Sequence, residues 1–178
     1  MLLRKRIKRI LLYLIFILMA FIIQTCIFPL IPVFSAKPNL LLILTFSFGF
    51  IYGSNTGMLC GLLSGLLMDL FYTGPFGFYS LVFIYIGYAN GLFSKYYYDD
   101  FITLPLILCV GSELIYNFYI YVIRFLLRAR LNIGYYFIDI ILPEIVFSVI
   151  VTLIIYRLLL KINKKLDKIQ DRRGQNVA

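Results

Sequence analysis

The chain has 178 residues, of which 62% are hydrophobic and 14% are charged, and its formal net charge is +9. A mean hydropathy of +0.95 is more than a soluble core of this size requires, so the composition excludes a soluble domain and predicts a polytopic membrane protein. Histidine is absent, which removes the commonest metal ligand and general base.

Apolar segments separated by turn and charge signals predict an all-α fold with about six transmembrane helices. A helix that crosses a bilayer takes about 20 residues, so these segments fill the chain as a single integral membrane domain, 1–178. Beyond the last span we expect a basic tail, 161–178, that is amphipathic at its start and then frays. The predicted spans are 10–30, 38–52, 54–71, 78–93, 101–123 and 136–160.

The first two spans differ in length and in flanking charge. Five basic residues between Arg4 and Arg9 precede the first apolar run, and no small-x-small cleavage site follows it. This pattern predicts an uncleaved span that starts in the cytoplasm. The second run, Pro38 to Tyr52, measures only about 22 Å as a helix, against a hydrocarbon core of about 30 Å. It must therefore lie in thinned bilayer, lean on neighbouring helices or stop part-way.

Glycine recurs every fourth residue from Gly49 to Gly65, and the next step of four reaches Asp69. Because residues four apart drift around a helix, one straight helix cannot keep the series on one face, and Tyr52–Asn55 supplies a turn within it. Small residues let helix backbones approach closely in a bilayer. We therefore predict a helix-docking surface on the third and fourth spans, joined by a turn containing Gly74, Pro75 and Gly77. The predicted docking residues are Gly57, Gly61, Gly65, Asp69, Gly87 and Gly91.

Three carboxylates fall at or near membrane depth, where each needs a compensating partner. Asp69 is either a helix-end carboxylate bonded to backbone or a hydroxyl, or a contact to a partner or ligand. Glu113 and Asn117, one helical turn apart, form a candidate intramembrane polar site, either an interhelical hydrogen bond or a ligand or proton site. Glu144 follows a proline near a helix start, where a carboxylate favours the helix dipole.

No catalytic, cofactor-binding or metal-binding residues are predicted. The cysteines Cys26, Cys60 and Cys109 stand alone in apolar runs, which is typical of packing residues. No nucleophile–base pair can be assembled, and the glycine-rich stretch lacks the lysine of a phosphate-binding loop. The prediction is therefore a protein that is not an enzyme.

The distribution of lysine and arginine predicts the topology. With six spans and both termini in the cytoplasm, 13 of these residues lie inside and 4 outside. The outer group includes Arg124, Arg128 and Arg130. Either these arginines contact an acidic partner or phosphate head groups on the outer side, or one span is re-entrant. Because the basic residues flank apolar spans at the chain ends, we expect them to contact membrane lipids and not nucleic acid.

These motifs together resemble the rod shape-determining protein MreD family. The resemblance is carried by Pro38-Asn39-Leu40, the glycine ladder into Gly65-Leu66-Leu67-Met68-Asp69, Gly74-Pro75-Phe76-Gly77, and Gly87-Tyr88 with Gly91. It is sharpest from Pro38 to Gly91, whereas the last two spans match in hydropathy alone. Asn39 stands where aspartate is common in that family.

The resemblance implies a non-enzymatic subunit of the bacterial elongation machinery (the elongasome), which directs side-wall peptidoglycan synthesis, cell wall organisation and cell shape. The implied partners are an MreC-like bitopic scaffold, a RodA-type glycan polymerase with its transpeptidase penicillin-binding protein, and MreB-like actin filaments. The family is also similar in fold to the six-helix substrate-binding subunits of energy-coupling-factor transporters. The alternative is therefore a vitamin-binding transporter subunit, with Glu113 and Asn117 as its polar site.

Overall fold

The computed structural model describes residues 2–28, 38–72, 75–96, 103–123, 134 and 137–175. Every regular element within these ranges is helical, so the predicted all-α class is confirmed. A wide helical turn, Ile23–Ile27, follows the first helix, and another, Phe137–Ile141, precedes the last helix. A tighter helical turn, Phe93–Tyr96, follows the fourth helix. The α-helices are α1 Leu2–Ile22, α2 Leu40–Tyr52, α3 Ser54–Phe71, α4 Phe78–Leu92, α5 Thr103–Tyr121 and α6 Leu142–Gln175.

The short helix α2 lies at the centre of the molecule. Each of its residues from Leu40 to Phe50 is buried, and all five other helices pack around it. The Asn39 side chain caps its start by accepting a 3.2 Å hydrogen bond from the Leu42 N–H. Its 13 residues make a helix about 20 Å long, of which Leu40 to Phe50 are covered by protein and the last two residues are half-buried. Among the three arrangements expected for this segment, the structure shows a helix that leans on its neighbours.

The turn predicted between the second and third spans is confirmed. Gly53 has a φ of 91°, a left-handed conformation that favours glycine, and it separates α2 from α3. Its N–H donates to the Gly49 carbonyl at 2.8 Å, and its own carbonyl accepts from the Gly57 N–H at 3.0 Å. The chain thus reverses direction with its backbone groups bonded, as burial requires.

Helix α1 packs along one side of this core. Ile17, Ala20 and Phe21 are buried, whereas the opposite face is exposed. After α1 the Gln24 Oε1 atom accepts a 3.3 Å hydrogen bond from the Leu41 N–H, which ties the wide turn to the start of α2. An apolar face turned outwards is expected for a helix in contact with lipid.

Two described helical segments are long and apolar enough to cross a membrane, Ile10–Ile27 and Thr103–Tyr121. Helices α3 and α4 are not among these segments. Helix α3 has the bounds of the third predicted span, but its glycines and polar residues lower its hydropathy. Helix α4 is too short, since it has only 15 residues. Helix α6 continues past the predicted span end at 160 to Gln175, because good helix formers follow and no proline interrupts them. The six-span arrangement and the single domain 1–178 stay predictions.

Candidate functional site

The predicted glycines of α3 and α4 bring the two helix backbones into direct contact. A Cβ atom added to Gly57 would lie within 3.0 Å of the Gly87 carbonyl, and one added to Gly87 would meet the Gly57 carbonyl equally closely. Real Cβ atoms do not approach backbone so closely. Gly49 of α2 contacts the same place, since its Cβ would lie 2.6 Å from the Gly87 oxygen. Three backbones therefore converge on one point, and we call α2, α3 and α4 the glycine-packed unit.

The contact continues along both helices in antiparallel register. The glycines of α3 and α4 are buried, and a Cβ on any of them would collide with backbone of the opposite helix. The groove predicted on the third span is therefore filled by α4 of the same chain. A partner's helix cannot lie in that groove while α4 occupies it. The facing pairs are Gly61 with Phe83, Gly65 with Ser80, and Gly91 with Ser54.

Asp69 fastens the start of α4 to the end of α3. Its carboxylate accepts from the Tyr79 N–H at 2.8 Å, the Ser80 N–H at 3.1 Å and the Ser80 hydroxyl at 2.5 Å. The first N–H groups of a helix have no partner within it, and Gly77 at the cap position carries no side chain that could bond them. Asp69 thus acts as a helix-end carboxylate, the first of the two roles expected from the sequence.

The turn before α4 is held by backbone bonds. Gly77 has a φ of 90°, and the Pro75 carbonyl accepts from the Phe78 N–H at 3.3 Å. The Tyr119 hydroxyl of α5 donates to the Phe78 carbonyl at 3.3 Å, so a third helix meets this corner. Gly74, the remaining predicted turn residue, lies outside the described residues, as do Arg124, Arg128 and Arg130.

A second polar feature runs between α5 and α6, and we call it the α5–α6 seam. It consists of Cys109, Glu113 and Asn117 on α5 and of Glu144, Ser148 and Thr152 on α6. Each set repeats every four residues, so each follows one helix face. The Cys109 Sγ atom lies 3.1 Å from the Thr152 Oγ1 atom, and the Asn117 Nδ2 atom donates to the Glu113 carbonyl at 3.1 Å.

Glu113 is the least compensated group of the seam. Its side chain is 0% exposed, and neither carboxylate oxygen has a hydrogen-bond partner among the described residues. Ser148, also buried, has a hydroxyl without such a partner and is a close polar neighbour of Glu113. Glu144 adds a second acid beside Glu113, and Asn117 lies next to Glu144. The predicted pair Glu113 and Asn117 is thus joined by residues of α6.

Sequence reasoning missed the polar residues of other helices that complete these features. Ser148 and Thr152 follow Glu144 at steps of four, a spacing that marks a common face and could have indicated the seam. Asn90 of α4 donates to the Ser112 hydroxyl of α5 at 2.9 Å, a contact that no local spacing indicates. Within the described residues, no three His, Cys, Asp or Glu side chains are grouped so as to hold a metal ion.

In the part of the chain that the structure describes, the regular elements are helices joined by close backbone contacts and buried polar bonds, and two helical segments are apolar enough to cross a membrane. A family model described as rod shape-determining protein MreD matches residues 4–165. The chain belongs to this family, which confirms the resemblance seen in its motifs. Members are membrane proteins of the rod-shape complex, which includes MreB and MreC. No curated protein and no solved structure matches the chain, and no finding supports the transporter alternative.

Proposed function

We propose that this chain is a non-enzymatic scaffold of the rod complex, a multi-pass protein of the bacterial cytoplasmic membrane with both termini in the cytoplasm. It docks an MreC-like bitopic scaffold together with a RodA-type polymerase and its transpeptidase, and MreB-like filaments join through these partners. The supporting observation is the glycine-packed unit, in which the backbones of α3 and α4 are in direct contact at Gly57 and Gly87. Helices packed this closely suit a protein that positions partners.

The outer face of α4 is the proposed docking surface, because the glycine face is already covered. Tyr85 lies at the middle of α4 and is 66% exposed, with no hydrogen bond to a described residue. Tyrosine is enriched at membrane interfaces, where its hydroxyl contacts water, and a hydroxyl at mid-bilayer depth lacks that partner. A partner's helix that supplies an acceptor satisfies this hydroxyl and packs on its ring. The surface consists of Leu81, Tyr85, Tyr88 and Leu92.

The test is co-purification of the tagged chain from native membranes in mild detergent, with mass spectrometry of the bound proteins. We expect the wild-type chain to recover an MreC-like scaffold with a polymerase or transpeptidase. We expect Tyr85→Phe, which removes only the hydroxyl, to reduce that recovery about five-fold, the effect of about 1 kcal/mol for one hydrogen bond. Recovery of an ATPase pair with a membrane coupling protein would instead support the transporter alternative.

The matched control is Tyr96→Phe. Tyr96 is 62% exposed but follows α4 in the tighter turn, where water can bond its hydroxyl. Recovery of partners by this variant should equal that of the wild type. A photo-reactive amino acid at position 85 should cross-link to the partner, whereas the same group at Ile107 on α5 should not. Equal recovery by both tyrosine variants, with no cross-link from position 85, would disprove docking on α4.

A further inference from the structure

The Glu113 carboxylate is buried within the helix bundle and accepts no hydrogen bond from a described residue. It is on α5, one of the helices apolar enough to cross a membrane, and its side chain is fully buried. An isolated carboxylate in such surroundings costs several kcal/mol, and a charged residue at membrane depth is retained only with a partner. No described side chain bonds to either oxygen, so among these residues the carboxylate has no compensating partner.

The groups around Glu113 add negative charge and oxygen atoms. Helix α6 contributes the Glu144 carboxylate and the buried Ser148 hydroxyl, which also lacks a hydrogen-bond partner. Helix α5 itself contributes the Cys109 thiol and the Asn117 amide, and α2 has no ionisable residue between its ends. The cationic side chains that the structure describes, Lys95 and Arg157, are exposed and form no ion pair with Glu113. The site therefore favours a positive charge.

The donor set determines which cation fits. Carboxylate, hydroxyl and amide oxygens are ligands for hard cations, whereas soft or transition metals prefer nitrogen and sulfur. Among the described residues, His, Cys, Asp and Glu side chains do not form a group of three or more that could hold a metal ion. A single positive charge is the smallest that neutralises the Glu113 carboxylate: H⁺ bonds to the carboxylate itself, whereas Na⁺ takes the surrounding oxygen atoms as ligands.

We propose that the α5–α6 seam binds one small monovalent cation, H⁺ or Na⁺, at Glu113, with Ser148 completing the site. Bound there, the cation removes the charge penalty at Glu113 and holds α5 against α6. Glu144 lies in the first turn of α6 and is partly exposed, so it provides a polar step between the helix end and Glu113. The stability of the α5–α6 pair then depends on the cation.

The experiment measures thermal unfolding of the full-length protein in detergent by circular dichroism. One series varies Na⁺ against choline at constant ionic strength, and a second varies pH without Na⁺. If Na⁺ is the cation, the unfolding midpoint rises with Na⁺ concentration, as for any ligand that binds only the folded state. If H⁺ is the cation, Na⁺ has no effect and the midpoint falls as pH rises, because unfolding then releases a proton.

The decisive variant is Glu113→Gln, which keeps the shape of the side chain and needs no cation. We expect its midpoint to be independent of Na⁺ and to lose the wild-type pH dependence. The matched control is Asp69→Asn, which changes another buried carboxylate that already accepts three hydrogen bonds. This control should keep the cation response. An unresponsive wild type, or a Glu113→Gln variant with the wild-type response, would overturn the proposal.

Direct measurements keep the proposal testable if Glu113→Gln does not fold. Binding of radioactive Na⁺ to the wild-type protein detects the metal cation at one per chain. The proton is detected by the infrared carbonyl band of a protonated carboxylic acid. The measurement uses the Glu144→Gln variant, in which Glu113 is the remaining carboxyl group of the seam. Absence of both signals would overturn the proposal. The partner recovery described above is a separate readout, so failure of the cation site and failure of the scaffold role remain distinguishable.

Discussion

Asp69 shows how one side chain can replace a local helix cap. Gly77, at the cap position of α4, adopts a left-handed conformation and has no side chain to bond the first N–H groups. The carboxylate that bonds them comes from the previous helix, α3, so capping and helix pairing become one interaction. Its negative charge also faces the positive end of the α4 dipole. We therefore expect the stability of the α3–α4 pair to depend strongly on this residue.

Replacing Asp69 by Ala should lower the free energy of unfolding by about 2–4 kcal/mol, because it leaves two buried N–H groups and a hydroxyl without an acceptor. Ser80→Ala should cost only about 1 kcal/mol, since both N–H bonds to Asp69 remain. Thermal or denaturant unfolding of the purified variants measures both losses. Asn55→Ala is the control, because Asn55 is exposed at the start of α3. A loss for Asp69→Ala no larger than for this control would contradict the capping role.

The α3–α4 pair illustrates how far the sequence can specify an element. Turn chemistry at Gly53 and around Pro75 correctly predicted both ends of α3, because φ preferences act locally. The glycines at four-residue spacing lie at the contact between α3 and α4. Which helix fills the groove could not be predicted from the sequence, because periodicity identifies a helix face but not the element that packs against it. The four-residue spacing from Glu144 to Ser148 marks one face of α6, but only tertiary packing pairs that face with Glu113, which is 35 positions from Ser148 in the chain.

The glycines of α3 and α5 should respond to alanine in opposite directions. Gly65→Ala places a methyl group against the Ser80 backbone, which cannot yield as a flexible side chain would. Overpacking of this kind costs about 1–3 kcal/mol. Gly111→Ala on α5 meets nothing within 4 Å, so the higher helix propensity of alanine should raise stability by up to about 1 kcal/mol.

Unfolding midpoints of the two glycine variants, measured side by side, test this contrast. The pair is matched because both changes add one methyl group to a glycine inside a helix. A rise in midpoint for Gly65→Ala, or a large fall for Gly111→Ala, would mean that the helix contacts differ from those described here.

At the scale of the whole molecule, the main feature is a central helix too short to span a bilayer on its own. Helix α2 is enclosed by the other helices, so its 13 residues need not match the bilayer thickness. The outer helices carry the exposed apolar surface, including Phe118 and Ile154, both more than 60% exposed. Helix α6 is about 51 Å long, which exceeds the hydrocarbon core by about 20 Å. A basic extension of this length is expected on the cytoplasmic side.

The proposed topology places the two ends of α4 on opposite sides of the membrane, and cysteine labelling tests this placement. Phe76, 71% exposed in the turn before α4, should lie outside, whereas Lys95, exposed after α4, should lie inside. In a Cys26→Ser background, Phe76→Cys should react with a membrane-impermeant maleimide in intact cells, and Lys95→Cys only after permeabilisation. The native Cys60 and Cys109 are buried and should contribute little signal. Labelling of both positions from one side would mean that α4 does not cross the bilayer. The reverse pattern, with Lys95→Cys labelled in intact cells, would mean that the proposed orientation of the whole protein is inverted. Such an inversion would be possible because the orientation is inferred from the distribution of positive charges alone.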